Sequence, residues 1–95
     1  MYFVVEGNVE VFKSYGQPGE TNLATLKPGD LFGEMAVFLR EARSASVVAK
    51  SNVEVYEVRR SEIQRFLESN LAASYTIVET LCARLRNILK DLNAF

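Results

Sequence analysis

The chain has 95 residues, of which 48% are hydrophobic and 24% are charged, and its net charge at neutral pH is −1. This length and this balance are typical of one small globular domain. A nucleic-acid-binding surface usually needs a surplus of basic residues, whereas here 11 basic residues stand against 12 acidic ones. We therefore expect no nucleic-acid contact by this chain.

Reactive and metal-binding side chains are few. The chain has no histidine and one cysteine, Cys82, which excludes an internal disulfide, a Ser-His-Asp triad and a Cys-His pair. Zinc or haem would need unusual ligands, so we expect no metal and no other cofactor. The first residues contain no basic leader, and no apolar stretch reaches the length of a membrane span. These features predict a cytoplasmic non-enzyme without membrane insertion.

The first sixty residues form short apolar or alternating segments separated by turn residues. The predicted strands are Tyr2–Glu6, 8–13, 22–26, 44–50 and 53–58. The pairs Pro18-Gly19 and Pro28-Gly29 each predict a tight turn, because proline presets one φ angle and glycine accepts a positive one. Several short strands at this spacing favour an antiparallel barrel or sandwich.

The last third of the chain has a helical pattern. Ser61 is predicted to cap a short helix that runs to Leu67. From Leu71 onward there is no glycine or proline, which favours one long helix. A seven-residue apolar repeat consists of Leu71, Tyr75, Val78, Cys82, Leu85, Leu89 and Leu92, and a second apolar row of Ile77, Leu81, Ile88 and Phe95. The repeat favours a seam between two helices, and a single wide core-facing stripe is the alternative.

The segment most informative about function follows the second Pro-Gly turn. Gly33 allows a close approach of the backbone to a ligand, and a helical turn that starts at Glu34 would present N–H groups to an anion. Arg43 can pair bidentately with phosphate oxygens, and Ser44 and the backbone of Ala45 can donate further hydrogen bonds. Because Glu34 accepts hydrogen bonds, it suits a sugar hydroxyl. A carboxylate that accepts from a sugar and an arginine that pairs with a phosphate together match a nucleotide ligand.

The run Phe32-Gly-Glu-Met-Ala, followed by Arg43-Ser-Ala, resembles the phosphate-binding cassette of the cyclic-nucleotide-binding domain family. The flanking segments that begin at Tyr2 and Leu26 are similar to the family as well, and the similarity covers about residues 2–86. The resemblance implies one mainly β domain with C-terminal helices over residues 1–95. Residues 1–60 would form a β-jelly roll (double-stranded β-helix), and residues 61–93 a short helix and a long dimerisation helix.

The resemblance also implies a ligand site. Glu34 would bind the ribose 2′-hydroxyl, and Arg43 would bind the exocyclic oxygens of the cyclic phosphate. The further contacts would come from Gly33, Met35, Ala36, Ser44 and Ala45. The expected ligand is cAMP, with cGMP as the alternative.

Two features depart from the family pattern. The family's domain normally begins with a helix and two strands ahead of Tyr2, so we expect an N-terminally truncated domain with unpaired strand edges. In members of the catabolite-activator type, a Thr-Ser pair on the long helix contacts the base. The corresponding positions are near Ile88 and Leu89, and Asn87 is the nearest polar candidate for a base contact.

The resemblance therefore implies a regulatory sensor that binds a cyclic nucleotide and relays binding through its C-terminal helix. A homodimer through helix 71–92 is the expected assembly. One alternative is a ligand-free family member that serves as a dimerisation module. Another is the sensor part of a catabolite-activator-type (Crp-like) transcription regulator whose DNA-binding domain is not in this chain.

Overall fold

The computed structural model describes residues 1–42 and 45–92. The strands in these ranges are β1 (Tyr2–Glu6), β2 (Val9–Lys13), β3 (Thr21–Leu26), β4 (Leu31–Phe32), β5 (Ser46–Ala49) and β6 (Glu54–Glu57). The helices are α1 (Glu34–Phe38), α2 (Ile63–Ser69) and α3 (Leu71–Asp91), with a 3-10 turn at Arg60–Glu62 ahead of α2. The prediction of a mainly β fold with C-terminal helices is confirmed.

The chain divides into two compact units, Met1–Ile63 and Gln64–Phe95. The first unit contains two three-stranded antiparallel sheets, with strand orders β4-β1-β6 and β3-β2-β5. Its buried apolar side chains are Met1, Val4, Val9, Phe12, Leu31, Val37 and Val58. These residues lie in α1 and in or next to strands of both sheets, so burial of apolar surface stabilises the sheets and the helical turn together.

The chain passes from the first sheet to the second at Gly7, between β1 and β2. Gly7 has a φ of +81°, which side-chain-bearing residues rarely adopt. A Cβ atom at this position would collide with the carbonyl oxygen of Asn52, and it would lie 3.1 Å from Cγ2 of Val53. A glycine is therefore required here by conformation and by space.

The start of the short helix differs from the prediction. Ser61 was expected to be the N-cap, but it lies inside the 3-10 turn. Glu62 makes the contacts at this helix start: Oε1 of Glu62 accepts a hydrogen bond from the Arg59 N–H (3.1 Å), and the Glu62 N–H donates to the Arg59 carbonyl oxygen (2.9 Å). Because this reciprocal pair satisfies the backbone at Arg59, helical geometry begins ahead of Ser61.

The helix α3 begins at Leu71, as predicted, and it leaves most of the heptad residues exposed. Leu71 is 80% exposed, Tyr75 71% and Val78 60%. Ile77, from the second apolar row, is buried. Within the described ranges, none of the helices has both the length and the hydrophobicity that crossing a lipid bilayer requires.

We predict that Gly7→Ala destabilises the first unit by about 3 kcal/mol, because it adds a steric collision to an unfavourable positive φ. The matched control is Gly16→Ala. Gly16 also has a positive φ, but a Cβ there meets no atom within 4 Å. Gly16→Ala should therefore lower the free energy of unfolding by about 1 kcal/mol. Urea denaturation of the three proteins measures both values, and equal losses in the two variants would contradict the role of Asn52.

Candidate nucleotide-binding site

The predicted cassette starts where β4 ends. Phe32 is the last residue of β4, and Gly33 is the N-cap of α1 with φ 76° and ψ 14°. This left-handed conformation costs glycine little, and it turns the backbone from the strand directly into the helical turn. The structure therefore explains the glycine by its backbone conformation, and the expected close approach to a ligand stays a prediction.

Within the first unit, the short helix α1 has one buried side chain. Val37 is buried, Glu34 and Ala36 are half-buried, and Met35 is exposed. The Leu39 N–H donates to the Met35 carbonyl oxygen at 2.9 Å, and Arg40 then adopts a positive φ of 56°. The turn is thus closed at both ends by left-handed residues, which limits it to a short, defined segment.

The two ends of the cassette border one cavity in the first unit. The cavity has a volume of about 560 Å³ and is lined by Tyr2, Val9, Phe32, Ala45, Ser46, Val47, Ala49, Val53 and Val55. Phe32 precedes the cassette glycine, and Ala45 is a predicted contact residue. Since the other lining residues are mostly apolar and come from both sheets, the cavity offers nonpolar walls beside the segment that carries the polar groups.

Of the predicted contact residues, Ala45 lines this cavity, whereas Gly33, Glu34, Met35 and Ala36 are not among the lining residues. Arg43 and Ser44 lie outside the described residues. Asn87 is an exposed residue of α3 and belongs to the second unit. The roles of Arg43, Ser44 and Asn87 remain predictions.

Tyr2 lines the cavity, although the sequence did not single it out as a site residue. Its ring stacks on that of Phe32, with 5.0 Å between the ring centroids and 18° between the planes. Tyr2 faces Phe32 on one side and Glu57 on the other in the strand register. The only sequence signal was an aromatic residue in a strand, because the register that brings Tyr2 beside Phe32 joins positions 30 residues apart.

A charged pair lies beside Tyr2, on the β6 side of the sheet. The Arg59 Nε donates to Oε1 of Glu57 at 3.0 Å. The hydrogen bonds from Arg59 and from the Tyr2 hydroxyl hold the pKa of Glu57 below its ordinary value. Glu57 is therefore favoured in its ionised form, and it lies opposite Tyr2 in the strand register.

Comparison with known proteins decides the family. The sequence model described as "Cyclic nucleotide-binding domain" matches residues 1–70. The chain belongs to the cyclic nucleotide-binding domain family.

Relatives with this domain include transcription regulators and kinase subunits. The cyclic AMP receptor protein of Thermus thermophilus is 33% identical over 93 residues, which are 98% of this chain and 43% of that protein. The crystal structure of the Thermus thermophilus catabolite activator protein has a TM-score of 0.82 at 31% identity and covers 98% of this chain and 44% of its own. The regulatory domain of Toxoplasma gondii PKA, crystallised with cAMP, has a TM-score of 0.60 at 28% identity over 79% of this chain and 30% of its own.

Two conclusions follow for this cyclic nucleotide-binding domain. The β-jelly-roll fold class with C-terminal helices, expected from the resemblance, is confirmed. The chain spans less than half the length of the Thermus relative, at 43%.

Proposed function

We propose that the chain is a regulatory sensor domain that binds cAMP through the cassette from Phe32 to Ala45. The observation that carries this proposal is the arrangement of Phe32 and Ala45, the two ends of the cassette, around one cavity. The names of two relatives support the choice of ligand, since one is a cyclic AMP receptor protein and the other was crystallised with cAMP. Cyclic GMP is the alternative ligand.

In this proposal the cassette recognises the sugar and the phosphate separately. Glu34 accepts a hydrogen bond from the ribose 2′-hydroxyl, which a carboxylate can do and a cationic side chain cannot. Arg43 pairs with the negatively charged exocyclic oxygens of the cyclic phosphate. The smaller contacts come from Gly33, Met35, Ala36, Ser44 and Ala45. None of these roles involves a bond-breaking step, so the proposed activity is binding without catalysis.

In this proposal residues 1–60 hold the ligand, and the C-terminal helices, residues 61–93, transmit the binding signal. Asn87 is the candidate for a contact to the base. Binding can change the pose of α3 only if the ligand interacts differently with two poses of that helix. Because the chain covers 43% of the Thermus relative, action as the sensor of a transcription regulator is a proposal about a longer protein.

A dimerisation module is the second candidate function, and the exposed apolar row of α3 favours it. Leu71, Tyr75, Val78, Leu85 and Leu92 are 56–80% exposed. An apolar row at heptad spacing is stabilised when a second helix covers it. We therefore propose a homodimer through helix 71–92, formed with or without the ligand.

We predict that Arg43→Gln weakens cAMP binding by about tenfold to a hundredfold, the range expected for lost hydrogen bonds to a charged group. Isothermal titration calorimetry with cAMP and cGMP measures the affinities. The control is Arg40→Gln, which removes the same charge from the same segment and should leave the affinity within about twofold, within the usual effect of a surface substitution. No binding by the unchanged chain, or equal losses in both variants, would contradict the proposed site.

We predict that Val78→Glu converts the homodimer to a monomer, because it places an unpaired charge in the apolar seam. Sedimentation velocity of the unchanged chain and the variant measures the mass. Ala72→Glu adds the same side chain at an exposed position outside the apolar row and should remain dimeric. A monomeric unchanged chain, or a dimeric Val78→Glu variant, would exclude dimerisation through this seam.

A further inference from the structure

We propose that Tyr2 is a positioning residue for the cassette: its ring holds Phe32, and Phe32 in turn fixes the strand end from which Gly33 and Glu34 follow. Tyr2 would then act on the ribose through Glu34 without touching it. This inference rests on the proposed function, because it assigns Tyr2 a part in the ribose selectivity of the same site.

The backbone attachment of the cassette start is short. The strand β4 has two residues, and they pair with β1 as Tyr2↔Phe32 and Phe3↔Leu31. Two hydrogen bonds hold the preceding turn: the Val4 N–H donates to the Asp30 carbonyl oxygen and the Gly29 N–H to the Val4 carbonyl oxygen, each at 2.9 Å. Past Phe32 the chain turns at Gly33 with its positive φ. Phe32 is therefore the first residue of the cassette and the last one that pairs with β1 ahead of Gly33.

The side chains reinforce this attachment where the backbone pairing ends. The Tyr2 and Phe32 rings are nearly parallel, with an 18° interplanar angle and a 5.0 Å centroid separation. This is the range in which aromatic rings attract each other. Because Phe32 is bonded directly to Gly33, a change in the Phe32 backbone is passed to the φ and ψ of the glycine and to the direction of Glu34.

Tyr2 is itself held from the opposite side. Glu57 faces it in the register of β1 and β6 and is bound by Arg59 at 3.0 Å. The row Phe32–Tyr2–Glu57 therefore runs across all three strands of the sheet. With one face of the ring against Phe32 and Glu57 beside it on β6, the Tyr2 side chain lies between residues of the two neighbouring strands.

The same unit contains a second aromatic pair that serves as a reference. The rings of Phe12 and Tyr15 have the same centroid separation, 5.0 Å, at an interplanar angle of 48°. Phe12 pairs with Asn22 of β3 and Ser46 of β5, in the other sheet, and neither Phe12 nor Tyr15 lies in the cassette. A substitution in the Phe12–Tyr15 pair therefore shows the loss of stability that follows when any aromatic pair is broken. An effect seen only when the Tyr2–Phe32 pair is broken is then an effect on the cassette.

The test compares the affinities of cAMP and 2′-deoxy-cAMP, because these ligands differ only in the hydroxyl assigned to Glu34. We expect the unchanged chain to prefer cAMP by about tenfold or more, as for a hydrogen bond to a charged group. Tyr2→Leu should reduce this preference to about twofold or less, and Tyr2→Phe, which keeps the ring, should retain most of it. Tyr15→Leu should leave the ratio unchanged even if it lowers the stability. An unchanged ratio in Tyr2→Leu would overturn the inference.

A second measurement needs no ligand. Hydrogen–deuterium exchange of the amides of residues 33–38 should be faster in Tyr2→Leu than in the unchanged chain, and unaltered in Tyr15→Leu. Tyr2→Met replaces Tyr2→Leu if the latter does not fold. If the unchanged chain binds neither nucleotide, the proposed function fails, while the exchange rates still decide the role of Tyr2. Equal exchange in all variants would contradict positioning by Tyr2.

Discussion

The structure of the first unit depends on the antiparallel pairing of β1 with both β4 and β6. This pairing places Phe32, Tyr2 and Glu57 in one row, although they are far apart in the sequence. The same strand contributes Val4 to the core, where Leu31 from β4 is fully buried. Because β4 is only two residues long, it depends on β1 for its position, and the cassette that follows depends on β4. A small edge element thus sets the start of the proposed binding site.

In the proposed ligand site, the polar groups and the apolar walls come from different elements of the first unit. The cassette supplies the polar groups, with the glycine conformation at its start and short α1 behind it, and the two sheets supply the apolar walls of the cavity. A cyclic nucleotide has matching parts, since its sugar and phosphate are polar and the faces of its base are apolar. Membership in the cyclic nucleotide-binding domain family agrees with this division. The choice of base would depend on groups outside the cassette.

Much of the fold was predictable from the sequence, because local patterns determine it. Alternation and the Pro-Gly turns located β1, β2 and β3, and the lack of glycine and proline after Leu71 located α3. The strand β4 was not predicted, since two residues are too few to show a period. Ser61 was wrongly expected as a cap, because the 3-10 turn begins ahead of it, at Arg60, with the reciprocal bonds of Arg59 and Glu62. The motif identified the cassette, whereas the contact of Tyr2 with Phe32 depends on a long-range register that no local pattern contains.

We propose that the cassette is the part of the chain that contacts the ligand. The most direct test of this proposal is a titration of the ¹⁵N-labelled chain with cAMP, followed by NMR of the backbone amides. We expect the largest and saturable shifts at Gly33, Glu34, Met35, Ala36 and Ala45, with smaller changes at the other residues that line the cavity. Shifts that are confined to α3, or that do not saturate, would contradict it.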